Sequence, residues 1–207
     1  MKNEDKIMGL FNGKYLKTED VVKANIPKVY LTKMVRKGLI KRVKSGLYMN
    51  LETFPDSMYE NLSKSKYGIY SSLSSLYLLD MCERIPIIYD ITVPTGYKGY
   101  LQKLDNVKLY YVSKDIYEVG LIEVKDMFGN ILRCYDLERT ICDIVKYYDK
   151  LDRELCNKAL IEYFSENHDE KKLFLYAKKL KHRQNEKVKI AFVIYMPEVW
   201  NSVKSVH

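Results

Sequence analysis

Eight residues in the first quarter of the chain carry groups that can recognise a nucleic acid. Lys28, Thr32, Lys33 and Arg36 recur at the spacing that puts side chains on one face of an α-helix. With Val29 beside them, they offer cations, a hydroxyl and methyl groups, which suit phosphates and base edges in a major groove. Lys41, Arg42, Lys44 and Ser45 follow around the turn pair Ser45-Gly46, from which they can reach the adjacent sugar–phosphate backbone. The same residues on a solvated lysine-rich helix would touch nothing. The elements that hold them and the location of the charge decide between the two readings.

The flanking sequence predicts those elements. Ile7, Met8, Leu10 and Phe11 are apolar at helical spacing and stop at Asn12-Gly13. A short extended piece, Tyr15-Leu16-Lys17, leads to Thr18. Thr18 is expected to cap a helix with Glu19 and Asp20 in its first turn. A second break at Asn25 precedes a helix with Pro27 at its first position and Gly38 as its stop. Leu39 to Lys44, Ser45-Gly46 and Leu47 to Met49 read as a two-stranded hairpin. At about 100° per residue, Pro27, Leu31, Met34 and Val35 share the inner face of the third helix, with Tyr30 at its edge. Helix, short strand, two helices and hairpin is the winged helix-turn-helix order.

Charge agrees with this assignment. Residues 1–50 hold twelve Lys/Arg against four Asp/Glu, whereas residues 51–207 hold twenty-three of each. The formal excess of +8 therefore sits on the predicted helices and hairpin. A small basic module beside a neutral remainder is the footprint of a nucleic-acid-binding domain. Within the remainder, residues 171–189 carry eight basic and one acidic side chain. Lys171, Lys172, Lys178 and Lys179 lie across a helix from Leu173, Tyr176, Ala177 and Leu180. That face is either an ordinary solvated one or a second surface for phosphates, on flanking DNA or on RNA.

The larger part of the chain reads as α+β. Helices are expected over 56–65, 71–82, from Asp136, and over 152–166, 169–183 and 186–204. Strands are expected over 88–93, 107–112, 121–125 and 131–135, with Phe128-Gly129-Asn130 turning between the last two. Helices should flank a small mixed or antiparallel sheet. Glu123-Val124-Lys125, with Asp90 or Asp105 upstream, imitates a nuclease arrangement in which two carboxylates hold a metal and a lysine assists water attack; a solvated cross-strand pair explains it equally. Gly96-Tyr97-Lys98-Gly99 imitates a loop that clamps nucleotide backbones, but it follows a strand and Pro94, as a turn would. Asp136, Glu138, Arg139 and Asp143 read as a structural charge network. Cys82, Cys134, Cys142 and Cys156 form no CxxC pair and histidines number three, so neither structural zinc, disulfides nor any cofactor is expected. The longest uncharged stretch, 67–79, is too short to span a bilayer, and no apolar signal core opens the chain. A cytoplasmic protein is expected.

The run Tyr15-Leu16-Lys17-Thr18-Glu19-Asp20-Val21, Ile26-Pro27, Leu31 and Val35-Arg36-Lys37-Gly38-Leu39-Ile40 through Ser45-Gly46-Leu47-Tyr48 resembles the N-terminal domain of the AbiEi family, bacterial abortive-infection antitoxins of type IV toxin–antitoxin systems. Ser71 to Leu79, Ile85-Pro86, Tyr89 to Pro94 and Gly129 to Asp143 are similar to the start of that family's antitoxin domain. The resemblance implies a DNA-binding domain over 1–56 and an antitoxin domain over 57–207, with a hinge near Met49 to Ser57. It implies repression of the chain's own operon through inverted repeats. It also implies action against a nucleotidyltransferase-like toxin without a stable complex, and no catalytic activity. The competing readings are a metal-dependent nuclease targeted by a winged helix, and a one-component regulator that senses a ligand.

Overall fold

Helix α1, Asn3–Gly9, buries Ile7, and β1, Tyr15–Lys17, follows it. Helix α2 begins at Thr18 and ends at Lys23. Thr18 is thus its first helical residue and not its cap. The extended Lys17 holds the cap position, and the Thr18 N–H donates to the Gly46 carbonyl at 2.9 Å. Asn25 reverses the chain at φ +56°, a left-handed conformation that asparagine tolerates better than most residues. Helix α3, Val29–Arg36, starts two residues later than expected, so Pro27 lies ahead of it and is exposed instead of facing inward. Gly38 ends α3 at φ +68°, placing the N–H groups of Gly38 and Leu39 on the carbonyls of Val35 and Met34. Strands β2, Ile40–Lys44, and β3, Leu47–Asn50, close the hairpin.

The three strands form an antiparallel sheet in the order β1-β3-β2, with a bulge between Arg42 and Lys44. Its two faces do different work. Leu16, Ile40 and Tyr48 join Ile7, Val21, Ile26, Leu31 and Met34 in the core beneath the helices. Tyr15, Leu47 and Met49 face the other way, where Tyr59 of α4, Ser57–Ser63, packs on them. Asp56 caps α4 by accepting from the Tyr59 N–H at 3.1 Å. This is a winged helix-turn-helix with one added helix on the back of its sheet.

The second sheet is mixed, in the order β6-β5-β4-β8-β7, from β4, Ile69–Tyr70; β5, Tyr89–Pro94; β6, Val107–Val112; β7, Leu121–Lys125; and β8, Ile131–Tyr135. Strand β4 runs antiparallel to β5 and parallel to β8, and β5 runs parallel to β6. Helices α5, Ser72–Leu78; α6, Lys114–Tyr117; α7, Leu137–Tyr147; α8, Arg153–Ser165; and α9, Glu170–Lys179 complete this part. Ser71, Ser74 and Ser75 are buried with their hydroxyls in hydrogen bonds. Ser75 Oγ donates to the Tyr70 carbonyl at 2.7 Å, Ser74 Oγ accepts from the Asp90 N–H at 2.8 Å, and Thr92 Oγ1 donates to Ser71 Oγ at 2.9 Å. Helix α5 stops four residues before Cys82, because Asp80 turns the chain at φ +60°.

The computed structural model describes residues 2–11, 14–51, 56–165, 169–180 and 190. The helix expected over 186–204 and the end of the one expected over 169–183 lie outside them. Two compact units emerge. The smaller comprises Met1–Lys64 with Lys125–Asn130, and the larger comprises Ser65–Val124 with Ile131–His207. The smaller unit therefore takes in α4 and the turn after β7 as well as the winged helix.

The larger unit is organised around α7, where every residue from Glu138 to Val145 is buried. Arg139 is its polar centre. Its Nε donates to Asp143 at 3.2 Å, and one terminal nitrogen donates to the carbonyls of Ile116 at 2.8 Å and Val119 at 2.9 Å. The guanidinium also stacks 4.1 Å from the centre of the Tyr135 ring. Gly120, at φ +79°, must be glycine, since a Cβ there would lie 2.5 Å from that of Arg139. Removing one partner of a buried ion pair leaves the other charge uncompensated. Arg139→Ala is therefore expected to cost about 3–5 kcal/mol in urea unfolding of the full chain. A cost below about 1 kcal/mol, the size of an exposed pair, would contradict this account of the core.

Candidate nucleic-acid interface

Burial fixes the rotation of α3. Leu31 and Met34 are 1% and 0% exposed, which turns Lys28, Val29, Thr32, Lys33 and Arg36 to the outside, all of them exposed. Among the described residues, Lys28, Lys33, Arg36 and Lys41 join no ion pair. Lys37, by contrast, is held by Glu4 at 2.6 Å. The Lys33 ammonium lies 5.2 Å from the Tyr30 ring centre, a contact that steadies the side chain and leaves its charge available. Four uncommitted functional groups and one β-branched side chain thus share the outward face of α3. That face can meet phosphates and base edges.

The hairpin adds a second group of cations. Lys41 and Arg42 are exposed on β2, and Lys44 is half-buried. Arg42 bends back to the wing tip, where Nε donates to the Lys44 carbonyl at 3.4 Å and a terminal nitrogen donates to Ser45 Oγ at 3.5 Å. These are long bonds that a phosphate could replace. Of the eight residues the sequence singled out here, all lie on α3, its N-cap or the hairpin, and seven are exposed.

Sequence reasoning missed a polar cluster in the same unit. Lys14 is buried, its ammonium 5.0 Å from the Phe128 ring centre and 5.4 Å from that of Tyr15. Burial lowers its pKa, against the pull of Asp56, Glu60 and Asp126. The Asn130 amide bridges two carboxylates, donating to Asp56 Oδ2 at 3.1 Å and to Asp126 Oδ2 at 3.0 Å. Burial, with Asp126 beside it, raises the Asp56 pKa to about 6. The turn from Asp126 to Asn130 is far from Lys14 in sequence, so only a motif for the turn was legible.

In the larger unit, Lys171, Lys178 and Lys179 are exposed on α9. Lys172 is not on their surface. It turns to the start of α7, pairing with Asp136 at 3.0 Å and Glu138 at 2.9 Å, and Tyr176 donates to the same Asp136 oxygen at 3.0 Å. Lys172 thus bridges two carboxylates, and three lysines of that group face solvent. The nuclease-like set does not assemble. Asp90 is buried on β5, accepting from the Tyr110 hydroxyl at 2.9 Å, whereas Glu123 is exposed on β7, three strands away. At about 4.8 Å per strand they stand roughly 14 Å apart, too far to share one ion. Among the described residues, no group of three or more His, Cys, Asp or Glu could hold a metal. In the Gly96 to Gly99 loop, Tyr97 folds over Gly99, where a Cβ would lie 2.5 Å from its hydroxyl oxygen. That hydroxyl also accepts from the Leu101 N–H at 3.3 Å, so the loop is a self-packed turn. No helix among the described residues is long and apolar enough to cross a membrane.

Residues 9–50 match the family described as "Transcriptional regulator, AbiEi antitoxin", so the stretch from the end of α1 through the wing carries the signature that the sequence resembles. The crystal structure of the RV2827C protein from Mycobacterium tuberculosis is similar, with a TM-score of 0.63 and 11% identity over 90% of this chain and 74% of that one. At that identity the likeness is one of fold. No curated protein matches the sequence.

The Asp56 carboxyl makes a pH prediction for the smaller unit. Its folded pKa of about 6 lies above the unfolded value of 3.8, so between those values the folded state holds a proton that the unfolded state has released. Its contribution to stability therefore falls as pH rises from about 4 to about 6, then levels off. Asp56→Asn keeps the oxygen that caps α4 and removes this dependence. The melting temperature of the variant, relative to wild type, is expected to increase between pH 4 and pH 7. A difference that stays flat over that range would show that folding leaves the Asp56 pKa at its unfolded value.

Proposed function

We propose that the chain is a DNA-binding autorepressor and antitoxin of a type IV toxin–antitoxin system. The winged helix reads inverted repeats upstream of the chain's own gene, α3 entering the major groove and the hairpin following the backbone. The larger unit counteracts a nucleotidyltransferase-like toxin without catalysis and without a stable toxin complex. One observation carries the DNA-binding part: the buried pair Leu31 and Met34 fixes α3 so that Lys28, Thr32, Lys33 and Arg36 stand together on its exposed face. The match of residues 9–50 supports the regulatory and antitoxin roles. Lys171, Lys178 and Lys179 on α9 form a further surface for phosphate-bearing partners, either flanking DNA or an RNA that the toxin would modify.

Fluorescence anisotropy with the full chain tests the reading, using a duplex from the region upstream of its gene and a scrambled duplex of equal length. Arg36→Ala or Lys33→Ala is expected to cost about 1–3 kcal/mol on the upstream duplex and to narrow the preference for it, as loss of a base contact does. Lys41→Ala, on the hairpin, should weaken both duplexes alike. Equal wild-type affinity for the two duplexes at moderate salt would refute sequence-specific regulation. Altered specificity in Lys41→Ala, with Arg36 and Lys33 silent, would reverse the roles of helix and wing. Growth during co-expression with the adjacent gene tests the antitoxin role: rescue by this chain supports it, and continued arrest refutes it.

A further inference from the structure

Asp126 organises the turn that joins β7 to β8. Its Oδ1 accepts from the N–H groups of Phe128 and Asn130, each at 2.8 Å, and its carbonyl accepts from the Gly129 N–H at 2.9 Å. Gly129 supplies the left-handed conformation, at φ +79°, that such a reversal needs. The Asn130 amide then reaches out of the turn, bonding Asp56 Oδ2 as well as Asp126 Oδ2. Asp56 is the residue that caps α4. The Phe128 ring lies 5.0 Å from the buried Lys14 ammonium, which makes no hydrogen bond among the described residues. Tyr15, next to Lys14, donates to Glu60 of α4 at 3.0 Å.

The turn thus holds both the start of β1 and the start of α4, although neither adjoins it in sequence. Residues 125–130 pack with the smaller unit, whereas the chain up to Val124 and onward from Ile131 belongs to the larger one. Both ends of the turn are therefore fixed by hydrogen-bonded strands of the larger unit's sheet. A short segment fixed at both ends loses little further freedom on docking; with its ends released, each residue has to be ordered anew. Without the docked turn, Lys14 loses the Phe128 ring and Asp56 Oδ2 loses its amide donor. Buried polar groups deprived of partners are costly.

We infer that the turn from Asp126 to Asn130 is a clasp that makes the stability of the winged helix depend on the folding of the larger unit. Phe128 and Asn130 are positioning residues, acting through Lys14 and Asp56 and not by meeting DNA. Such a dependence runs both ways, so a partner that stabilises one unit is felt in the other. The inference does not require the DNA-binding reading, but it gives that reading a route for control by the larger unit.

Native-state hydrogen exchange of the full chain tests the clasp, read at α3 and α4 in the smaller unit and at α7 in the larger one. Four chains are compared: wild type, Arg139→Ala, Phe128→Ala with Asn130→Ala, and all three substitutions together. Circular dichroism is the folding control. Arg139→Ala alters the larger unit alone. It should speed exchange in α3 and α4 at least about tenfold when the turn is intact, and have no effect on them when the turn is altered. Acceleration confined to α7, or of equal size in both turn backgrounds, overturns the inference. If the paired turn substitutions unfold the chain, Asn130→Ala alone takes their place and the same comparison decides. The reverse direction uses the upstream duplex at saturating concentration. It should slow exchange in α7 of the wild type but not of the turn variant. Slowing confined to α3 and α4 overturns the clasp and leaves DNA binding standing. A wild-type chain that does not bind the duplex overturns the regulator reading alone, and the Arg139→Ala comparison still decides on the clasp.

Discussion

Burying Leu31 and Met34 against Ile7, Val21, Ile26, Ile40 and Tyr48 fixes the rotation of α3 as well as its position. Each such side chain contributes roughly 1.5–3 kcal/mol when withdrawn from water. Turning the helix by one residue, about 100°, would expose one of them and press a charged or hydroxyl group into the core. That penalty exceeds what any single surface contact returns. Hence Lys28, Thr32, Lys33 and Arg36 face outward because the core leaves them no other direction. The basic face is held ready before any DNA arrives, which spares the complex an ordering cost.

The small sheet extends the same constraint. Its strands alternate between the helical core on one side and the α4 side on the other, so successive residues serve different ends. Tyr15 packs under α4, Leu16 enters the core, and Lys17 comes out beside the wing. A one-residue slip in register would exchange these roles. The larger unit is organised differently, around a buried guanidinium and around Lys172, which links α9 to the start of α7. There, cations hold the fold together. On α3, the cations that join no ion pair are the ones free to meet a ligand.

Periodicity made much of this legible. The strands 107–112, 121–125 and 131–135 have the bounds that alternation and turn residues predict, and the inner face of α3 follows from its spacing except at Pro27. The cap at Thr18 misled because the wing's Gly46 carbonyl, a tertiary partner, takes the Thr18 N–H. Strand β4 has two residues and α6 has four, both too short for a period to show. The inward turn of Lys172 depends on acids more than thirty residues away in sequence. So does the meeting of Lys14 with Asp126. Local pattern gave the elements, but polar partners contributed by distant elements emerge only from the folded chain.

The central claim is that α3 enters a major groove with its cationic face toward the bases. Dimethyl sulfate methylation of guanine N7, which lies in that groove, measures it most directly on the duplex upstream of the gene. The account predicts that the bound chain protects guanines in two half-sites about one helical turn apart, and that methylating those guanines beforehand prevents binding. Binding that leaves every guanine N7 reactive would contradict it, since the chain would then hold DNA by its backbone or minor groove alone.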